Sequence, residues 1–170
     1  KKDLIGFYMA PINGFLYKKE DTSLLYYRGY SKGKMHGEWK QWNEKGGLSS
    51  LKVFDNGQKS GIWKSWNEKN ALMFEADYTK GRIRQWFNNG QLEYEYFIKD
   101  GAEHGPYRKW NIDGVLVHEN HYKNGKLDGI SRKWHMNGQP AYEYNFKDGV
   151  ENGSQKTFDE AGKLINEEVV

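Results

Sequence analysis

The feature that most constrains this chain is an internal repeat of about 24 residues. Trp42 and Trp66 are 24 residues apart, as are Trp110 and Trp134. Trp86 follows Trp66 by only 20 residues, so the third repeat is four residues shorter than the others. The complete column, which we predict to be a structural aromatic ladder along the array, is Trp42, Trp66, Trp86, Trp110, Trp134 and Phe158. A fixed period of this length predicts an array of similar structural units, each packed against its neighbours in the chain.

Three columns of glycine follow the same period. The first is predicted to lie in turns and contains Gly33, Gly57, Gly81, Gly101, Gly125 and Gly149. A second glycine follows four residues later in every repeat except the short one. In the third column Asn70 replaces glycine, and Asn is the next best residue at positive φ. The columns predict six repeats over residues 30–170, preceded by a cap and a degraded repeat at 1–29.

Each repeat has the pattern of two short strands. Tyr142, Tyr144 and Phe146 alternate with other residues, which is the period of two expected of a half-buried strand. A three-residue loop that ends in a positive-φ Gly or Asn fits the connection in all six repeats. We therefore predict an all-β fold, an elongated single-layer antiparallel sheet of tandem β-hairpins.

This loop also predicts which side chains share a face of the sheet. It sets Trp134 opposite Pro140 and Arg132 opposite Tyr142, so that all large aromatic columns share one face. The opposite face is predicted to carry a solvated acidic column, which limits aggregation. That column is Glu75, Glu95, Glu119, Glu143 and Glu167.

Residues 122–138, with the sequence YKNGKLDGISRKWHMNG, resemble the MORN-repeat variant of bacterial proteins, including YwqK-type antitoxin-like proteins. The resemblance extends over residues 30–170 and implies hairpins added side by side into a twisted sheet. Some members of this family are called antitoxins from gene context, and others are exported. Eukaryotic MORN proteins serve as scaffolds or membrane tethers. The family provides no catalytic residues to transfer.

The candidate binding residues are basic. One cation stands two residues before each Trp or Phe of the column, and the short repeat brings Lys80 and Arg82 close to Arg84 in sequence. The full set is Lys40, Lys64, Lys80, Arg82, Arg84, Arg108, Arg132 and Lys156. A face of cations and rings suits an anionic partner, and the alternative is cation–π packing within the sheet. The short repeat is predicted to leave a notch at one edge of the sheet, beside Lys80 and Arg82, where a partner docks. The alternative is that the deletion is neutral.

Composition excludes several classes of function. The net charge of +3 is too small to predict nucleic-acid binding, and the absence of cysteine excludes thiol chemistry. His118 and His121 are three residues apart on a predicted strand and point to opposite faces, so we expect no metal site. No nucleotide-binding or hydrolase motif occurs, and no apolar run is long enough to span a bilayer. We expect no cofactor, no enzymatic activity and no transmembrane segment.

The sequence thus predicts a non-enzymatic repeat module for protein–protein interaction, antitoxin-like or acting at the cell envelope or on a host. Anionic-lipid binding through the basic and aromatic face is the alternative, and carbohydrate binding on the aromatic face is a lesser one. The chain begins at Lys1 without Met, which favours export or the cell envelope over the cytoplasm. The compartment and the partner's identity stay open at this point.

Overall fold

The computed structural model describes residues 13–20 and 23–170, and within these ranges the chain forms strands and turns. The strands are β1 Gly14–Glu20, β2 Ser23–Ser31, β3 Lys34–Trp42, β4 Leu48–Asp55, β5 Gln58–Trp66, β6 Leu72–Asp77, β7 Arg82–Trp86, β8 Leu92–Lys99, β9 Ala102–Trp110, β10 Leu116–Lys123, β11 Lys126–Leu127, β12 Gly129–Trp134, β13 Pro140–Lys147, β14 Val150–Phe158 and β15 Leu164–Val169. The predicted all-β class is confirmed. Nowhere in these ranges is there a helix long and apolar enough to cross a membrane.

The chain divides into two compact units, Lys1–Lys80 and Gly81–Val170. In the first unit, β1 to β6 pair antiparallel in chain order. In the second unit, β7 to β10 and β12 to β15 pair in the same way, and β11 pairs only with β10. Hairpins that pair only with their chain neighbours confirm the tandem arrangement. The division into 1–29 and 30–170 stays a prediction, and residues 1–12 and 21–22 lie outside the described part.

The three-residue loop within each repeat is confirmed. In the hairpin of β12 and β13, the Gly138 N–H donates to the His135 carbonyl at 2.9 Å, and the His135 N–H donates to the Gln139 carbonyl at 2.8 Å. Gly138 has φ of 83° and Asn70, the replacement for glycine, has φ of 59°. Asn70 therefore takes the left-handed conformation that its place in the glycine column predicts.

A β-bulge after each of these loops changes the predicted register. Trp134 pairs with Pro140 as expected, but Lys133 pairs with Tyr142, which leaves one extra residue between Pro140 and Tyr142. The expected pairing of Arg132 with Tyr142 is therefore wrong, because Arg132 pairs with Glu143. The extra residues in the six repeats are Ser49, Met73, Glu93, Val117, Ala141 and Ile165. One inserted residue transfers the following side chains to the other face of the sheet.

Five of the first-column glycines lie in two-residue turns in which both residues have positive φ, the geometry of a type I′ turn. The pairs are Lys32–Gly33, Asn56–Gly57, Asp100–Gly101, Asn124–Gly125 and Asp148–Gly149. Gly81 differs, and its placement in this column is wrong. Its carbonyl accepts the Ile98 N–H at 2.7 Å, as the Gly61 carbonyl accepts the Tyr78 N–H at 2.9 Å. Gly81 therefore occupies the position of the second glycine column.

A carboxylate closes the turn that ends the first unit. Asp77 Oδ1 accepts the Thr79 hydroxyl at 2.6 Å and the backbone N–H groups of Thr79 and Lys80 at 3.0 and 3.1 Å. The hydrogen bond from the Thr79 side chain is the main cause that lowers the pKa of Asp77. The short repeat lacks the two-residue turn of the other repeats. In its place, the hydrogen bonds to Asp77 fix the chain before Gly81.

A row of aromatic rings in tilted and edge-to-face contact takes the place of a thick core in the first unit. Tyr30, Trp39, Phe54, Trp63 and Tyr78 contact one another in this order, with ring centroids 5.4, 5.1, 4.9 and 5.1 Å apart. We call this row the ring ladder. The indole N–H groups of Trp39 and Trp63 donate to the carbonyls of Gly29 and Val53 at 2.9 and 2.7 Å. Aromatic burial and satisfied indole donors together stabilise a sheet of one layer.

Candidate functional site

The basic column is paired with the acidic column. Arg108 Nε lies 2.7 Å from Glu119, and Arg132 Nε lies 2.7 Å from Glu143. Two further pairs join the columns, Lys64–Glu75 at 3.4 Å and Lys156–Glu167 at 3.3 Å, and Lys40 pairs at 2.6 Å with Glu38, which lies outside the acidic column. The expected placement of the acidic column on the face opposite the cations is thus wrong. The extra residue of each bulge places the glutamates on the same face as the cations. These carboxylates neutralise most of the positive charge of the basic column.

Arg84 and Arg132 show two different environments within this column. Arg84 pairs in register with Glu95, and its guanidinium lies 5.2 Å from the Trp86 ring centroid. Arg132 also reaches Glu119 at 3.6 Å, and the hydrogen bond that it donates to Glu143 is the main cause that raises its pKa. The cation–π packing that the sequence offered as an alternative therefore occurs at Arg84, beside the ion pairs that dominate the column.

The Trp and Phe column lies across from aliphatic residues. Trp110 pairs with Leu116, and Trp134 pairs with Pro140. The remaining pairs are Trp42–Leu48, Trp66–Leu72, Trp86–Leu92 and Phe158–Leu164. Within the described part of the chain, no ring contact joins one member of this column to another. Trp39 and Trp63 of the ring ladder are also 24 residues apart, and this spacing was the signal that the sequence analysis missed.

The predicted docking notch involves residues of both units. Lys80 is exposed and ends the first unit, whereas Arg82 is half-buried in β7 and pairs with Phe97 of the second. Arg84 follows on the same strand. The notch as a docking site stays a prediction.

A groove on the first unit combines rings with two cations outside the basic column, and Lys64 of that column also lines it. Lys52 Nζ lies 5.3 Å from the Trp63 ring centroid, and Lys59 Nζ lies 5.2 Å from it and 5.4 Å from that of Tyr78. The groove has a volume of about 550 Å³. Its lining is Gln41, Ser49, Ser50, Lys52, Lys59, Trp63, Lys64, Ser65, Phe74 and Tyr78. We call it the ladder groove. Sequence reasoning missed Lys52 and Lys59 because neither belongs to a basic column.

A second concave surface lies at the hairpin loops of the second unit. Ile112 and Met136 occupy equivalent positions in neighbouring loops and are 55% and 74% exposed. Trp110 and Trp134 lie beside them in a groove of about 750 Å³. We call these four residues the turn-edge patch. Lys109, Lys133, Glu93 and Glu160 also line this groove.

Histidines do not form a metal centre in the described part of the chain, where no three His, Asp or Glu side chains converge. His118 instead joins a row of tyrosines. Its ring lies 6.3 Å from that of Tyr107, and its Nε2 lies 3.2 Å from the Tyr142 hydroxyl. Partial burial is the main cause that lowers the pKa of His118, and the nearby charges of Lys133 and Lys109 lower it further.

Two segments of the chain are similar to a known repeat family. Residues 79–100 and 127–148 match the family model of the MORN repeat variant, and these segments contain the hairpins β7–β8 and β12–β13. No curated protein matches the chain.

Solved structures show weaker likeness. A crystal structure of a mutant of S. aureus TarM with fondaparinux, alpha-GlcNAc-glycerol and UDP aligns with a TM-score of 0.38 at 16% identity, covering 61% of this chain and 21% of that one. A second TarM crystal structure aligns with a TM-score of 0.37 at 15% identity, covering 61% of this chain and 20% of that one. The chain thus spans about a fifth of the length of these proteins.

Proposed function

We propose that this chain is a non-enzymatic repeat module that binds a protein partner through the turn-edge patch. The observation that carries the proposal is the exposure of Ile112 and Met136 directly beside Trp110 and Trp134. Protein interfaces characteristically have an apolar, aromatic-rich centre and a polar rim. Here the lysines and glutamates that line the same groove supply a rim of both charges.

The loops that carry the patch are held in place by their neighbours. The Asn89 side-chain amide donates to the Ile112 carbonyl at 2.9 Å, and that of Asn137 donates to the Glu160 carbonyl at 2.7 Å. Loops that are fixed before association lose less conformational entropy on binding. This preorganisation supports a docking role for Ile112 and Met136.

The ion pairs weigh against the main alternative, anionic-lipid binding through the basic column. Arg108 and Arg132 each have a carboxylate at 2.7 Å, so that little net charge remains to attract an anionic surface. We consider two types of protein partner. One is a toxin, by similarity to YwqK-type antitoxin-like proteins, and the other is a protein of the cell envelope or of a host. A carbohydrate ligand has no particular support from the turn-edge patch.

Photo-crosslinking tests the proposal. In one variant of the chain a photoreactive residue replaces Asn111, which lines the groove of the turn-edge patch. In a control variant the same photoreactive residue replaces the exposed Val150. We expect the first to crosslink one cellular protein, which then binds the purified chain at a stoichiometry of one to one.

The matched variants are Met136→Glu in the patch and Ile165→Glu outside it, where the wild-type side chains are 74% and 66% exposed. Met136→Glu should weaken binding of the purified partner at least tenfold, and Ile165→Glu should leave it within twofold. Equal losses from the two variants, or identical crosslinks from Asn111 and Val150, would refute docking at the patch.

A further inference from the structure

We infer that the ladder groove of the first unit binds an acidic peptide segment in which carboxylates flank an apolar side chain. This surface is separate from the turn-edge patch, and the inference does not rest on that patch. It assigns to the first unit a ligand site with a defined chemistry, formed by Trp63, Phe74 and Tyr78 together with Lys52 and Lys59.

The face of the sheet that carries the groove has one sign of charge. Strand pairing places Tyr26, Gln41, Ser50, Ser65 and Phe74 in one row across β2 to β6. The next row contains Arg28, Trp39, Lys52, Trp63 and Ala76. Neither row contains a carboxylate, and neither does the groove lining. Of the lining residues, Lys64 is already balanced by Glu75, whereas Lys52 and Lys59 supply the net positive charge. The groove therefore attracts an anionic ligand and not a cationic one.

The two lysines keep their charge available. Each ammonium group lies over a ring at more than 5 Å from its centroid. In the described part of the chain, neither lysine has a carboxylate within the 4 Å of an ion pair, which sets them apart from the basic column. A ring attracts an ammonium group only weakly at an exposed site. A carboxylate of a partner can therefore add to this contact without displacing an existing ion pair.

The groove is preformed between its two cations. Trp63 is fixed by Phe54 and Tyr78 at 4.9 and 5.1 Å and by the 2.7 Å hydrogen bond to Val53. Lys52 and Lys59 both reach its ring, so that an apolar side chain resting on Trp63 brings flanking carboxylates to the lysines. The volume of about 550 Å³ is within the range of about 300–1,000 Å³ usual for ligand pockets.

The rings favour a peptide over a membrane. Trp63, Phe74 and Tyr78 are half-buried, and none of them is exposed. Insertion into a bilayer requires apolar side chains that project from the surface, as in interfacial anchors. Half-buried rings that line a groove instead receive a side chain from an extended segment, and Ser50, Ser65 and Gln41 add polar groups beside them.

The test is an NMR titration of the complete chain with a capped peptide of alternating Glu and Leu, followed at the assigned indole N–H of Trp63. We expect a saturable shift of this signal that weakens as salt is added. The indole of Trp110 in the second unit should not move. The same peptide with Gln in place of Glu should bind at least tenfold more weakly.

Variants decide whether the groove is responsible. Lys52→Gln with Lys59→Gln should weaken binding at least tenfold, whereas Lys69→Gln with Lys99→Gln removes the same charge at other exposed lysines and should change it less than twofold. Equal losses, or no shift at Trp63, would overturn the inference. Binding to phosphatidylserine vesicles that depends on Lys52 and Lys59, without peptide binding, would also overturn it. Met136→Glu should leave peptide binding intact, which separates this test from that of the proposed function.

Discussion

At the scale of single residues, one repeat position contributes to stability in two different ways. Trp39 and Trp63 occupy it in the first unit and stack in the ring ladder. Ser131 and Gln155 occupy it in the second unit and are buried. There the Ser131 hydroxyl donates to Asn120 Oδ1 at 2.7 Å, and the Gln155 side-chain amide donates to the Asn145 carbonyl at 3.0 Å. Ring contacts at Trp39 and Trp63 and satisfied buried hydrogen bonds at Ser131 and Gln155 thus fill the same place in the sheet, which Ile83 and Tyr107 occupy in the two repeats between them.

The ring ladder predicts which tryptophan matters most for stability. Trp63→Ala should lower the free energy of unfolding by about 3 kcal/mol, since the substitution removes two ring contacts and a bonded indole. Trp110→Ala should cost about 1–2 kcal/mol, because Trp110 lies beside the aliphatic Leu116 at the turn edge. Denaturant unfolding of the two variants measures this difference. Losses of equal size would contradict the assignment of the ladder to Trp39 and Trp63.

His118 predicts a dependence of stability on pH. Its pKa is lowered in the folded chain, mainly by burial and secondarily by Lys133 and Lys109. The unfolded chain therefore binds more protons between the folded pKa and the ordinary value of about 6.5. This contribution to stability is complete above about pH 6.5 and is lost as the pH falls through the folded pKa.

NMR titration of the His118 ring should give a pKa below about 6.5. Lys133→Gln should raise this pKa, because the substitution removes a repelling charge. His118→Gln should make stability less sensitive to pH between about 7 and 5. A His118 pKa at or above its ordinary value, or one that Lys133→Gln leaves unchanged, would contradict this account.

At the scale of structural elements, the glycine positions predict two different costs of substitution. Gly101→Ala meets no atom within 4 Å and should cost about 1–2 kcal/mol, from its φ of 82° alone. Gly81→Ala has a φ of 67°, and in addition its Cβ would overlap the carbonyl oxygen of Ile98. We expect a loss of about 3 kcal/mol or more, because the backbone has to move. Thermal unfolding of both variants checks the order, and a milder effect at Gly81 would refute its placement beside Ile98.

The sequence predicted the elements well and their register incompletely. The positive φ at Asn70 and the pairing of Trp134 with Pro140 both follow from the loop that the glycine column indicates. The bulge one residue later has no signature in the sequence, since its extra residue is Ser, Met, Glu, Val, Ala or Ile in different repeats. That single residue transferred Glu143 to the face of Arg132 and changed a predicted binding column into ion pairs.

The candidate sites were harder to predict than the strands for a related reason. Period analysis finds what every repeat shares, and shared residues mainly stabilise the array. Lys52 has an equivalent cation only in Arg28, and Lys59 has none. An exposed apolar side chain stands at the loop position of Ile112 and Met136 in two repeats alone, so that no column through all six repeats marks any of these residues. Their roles emerge only when strand pairing brings Lys52 to Trp63 and loop geometry brings Met136 to Trp134.

At the scale of the whole molecule, the elongated outline stays a prediction that follows from the repeat. Each repeat of about 24 residues forms contacts with its chain neighbours, so adding repeats extends one dimension instead of thickening a core. A compact globule of 170 residues has a radius of gyration of about 15–16 Å. Small-angle X-ray scattering of the monomeric chain should give a clearly larger value and a distance distribution skewed to long distances. A radius close to that of the compact globule would refute the elongated array.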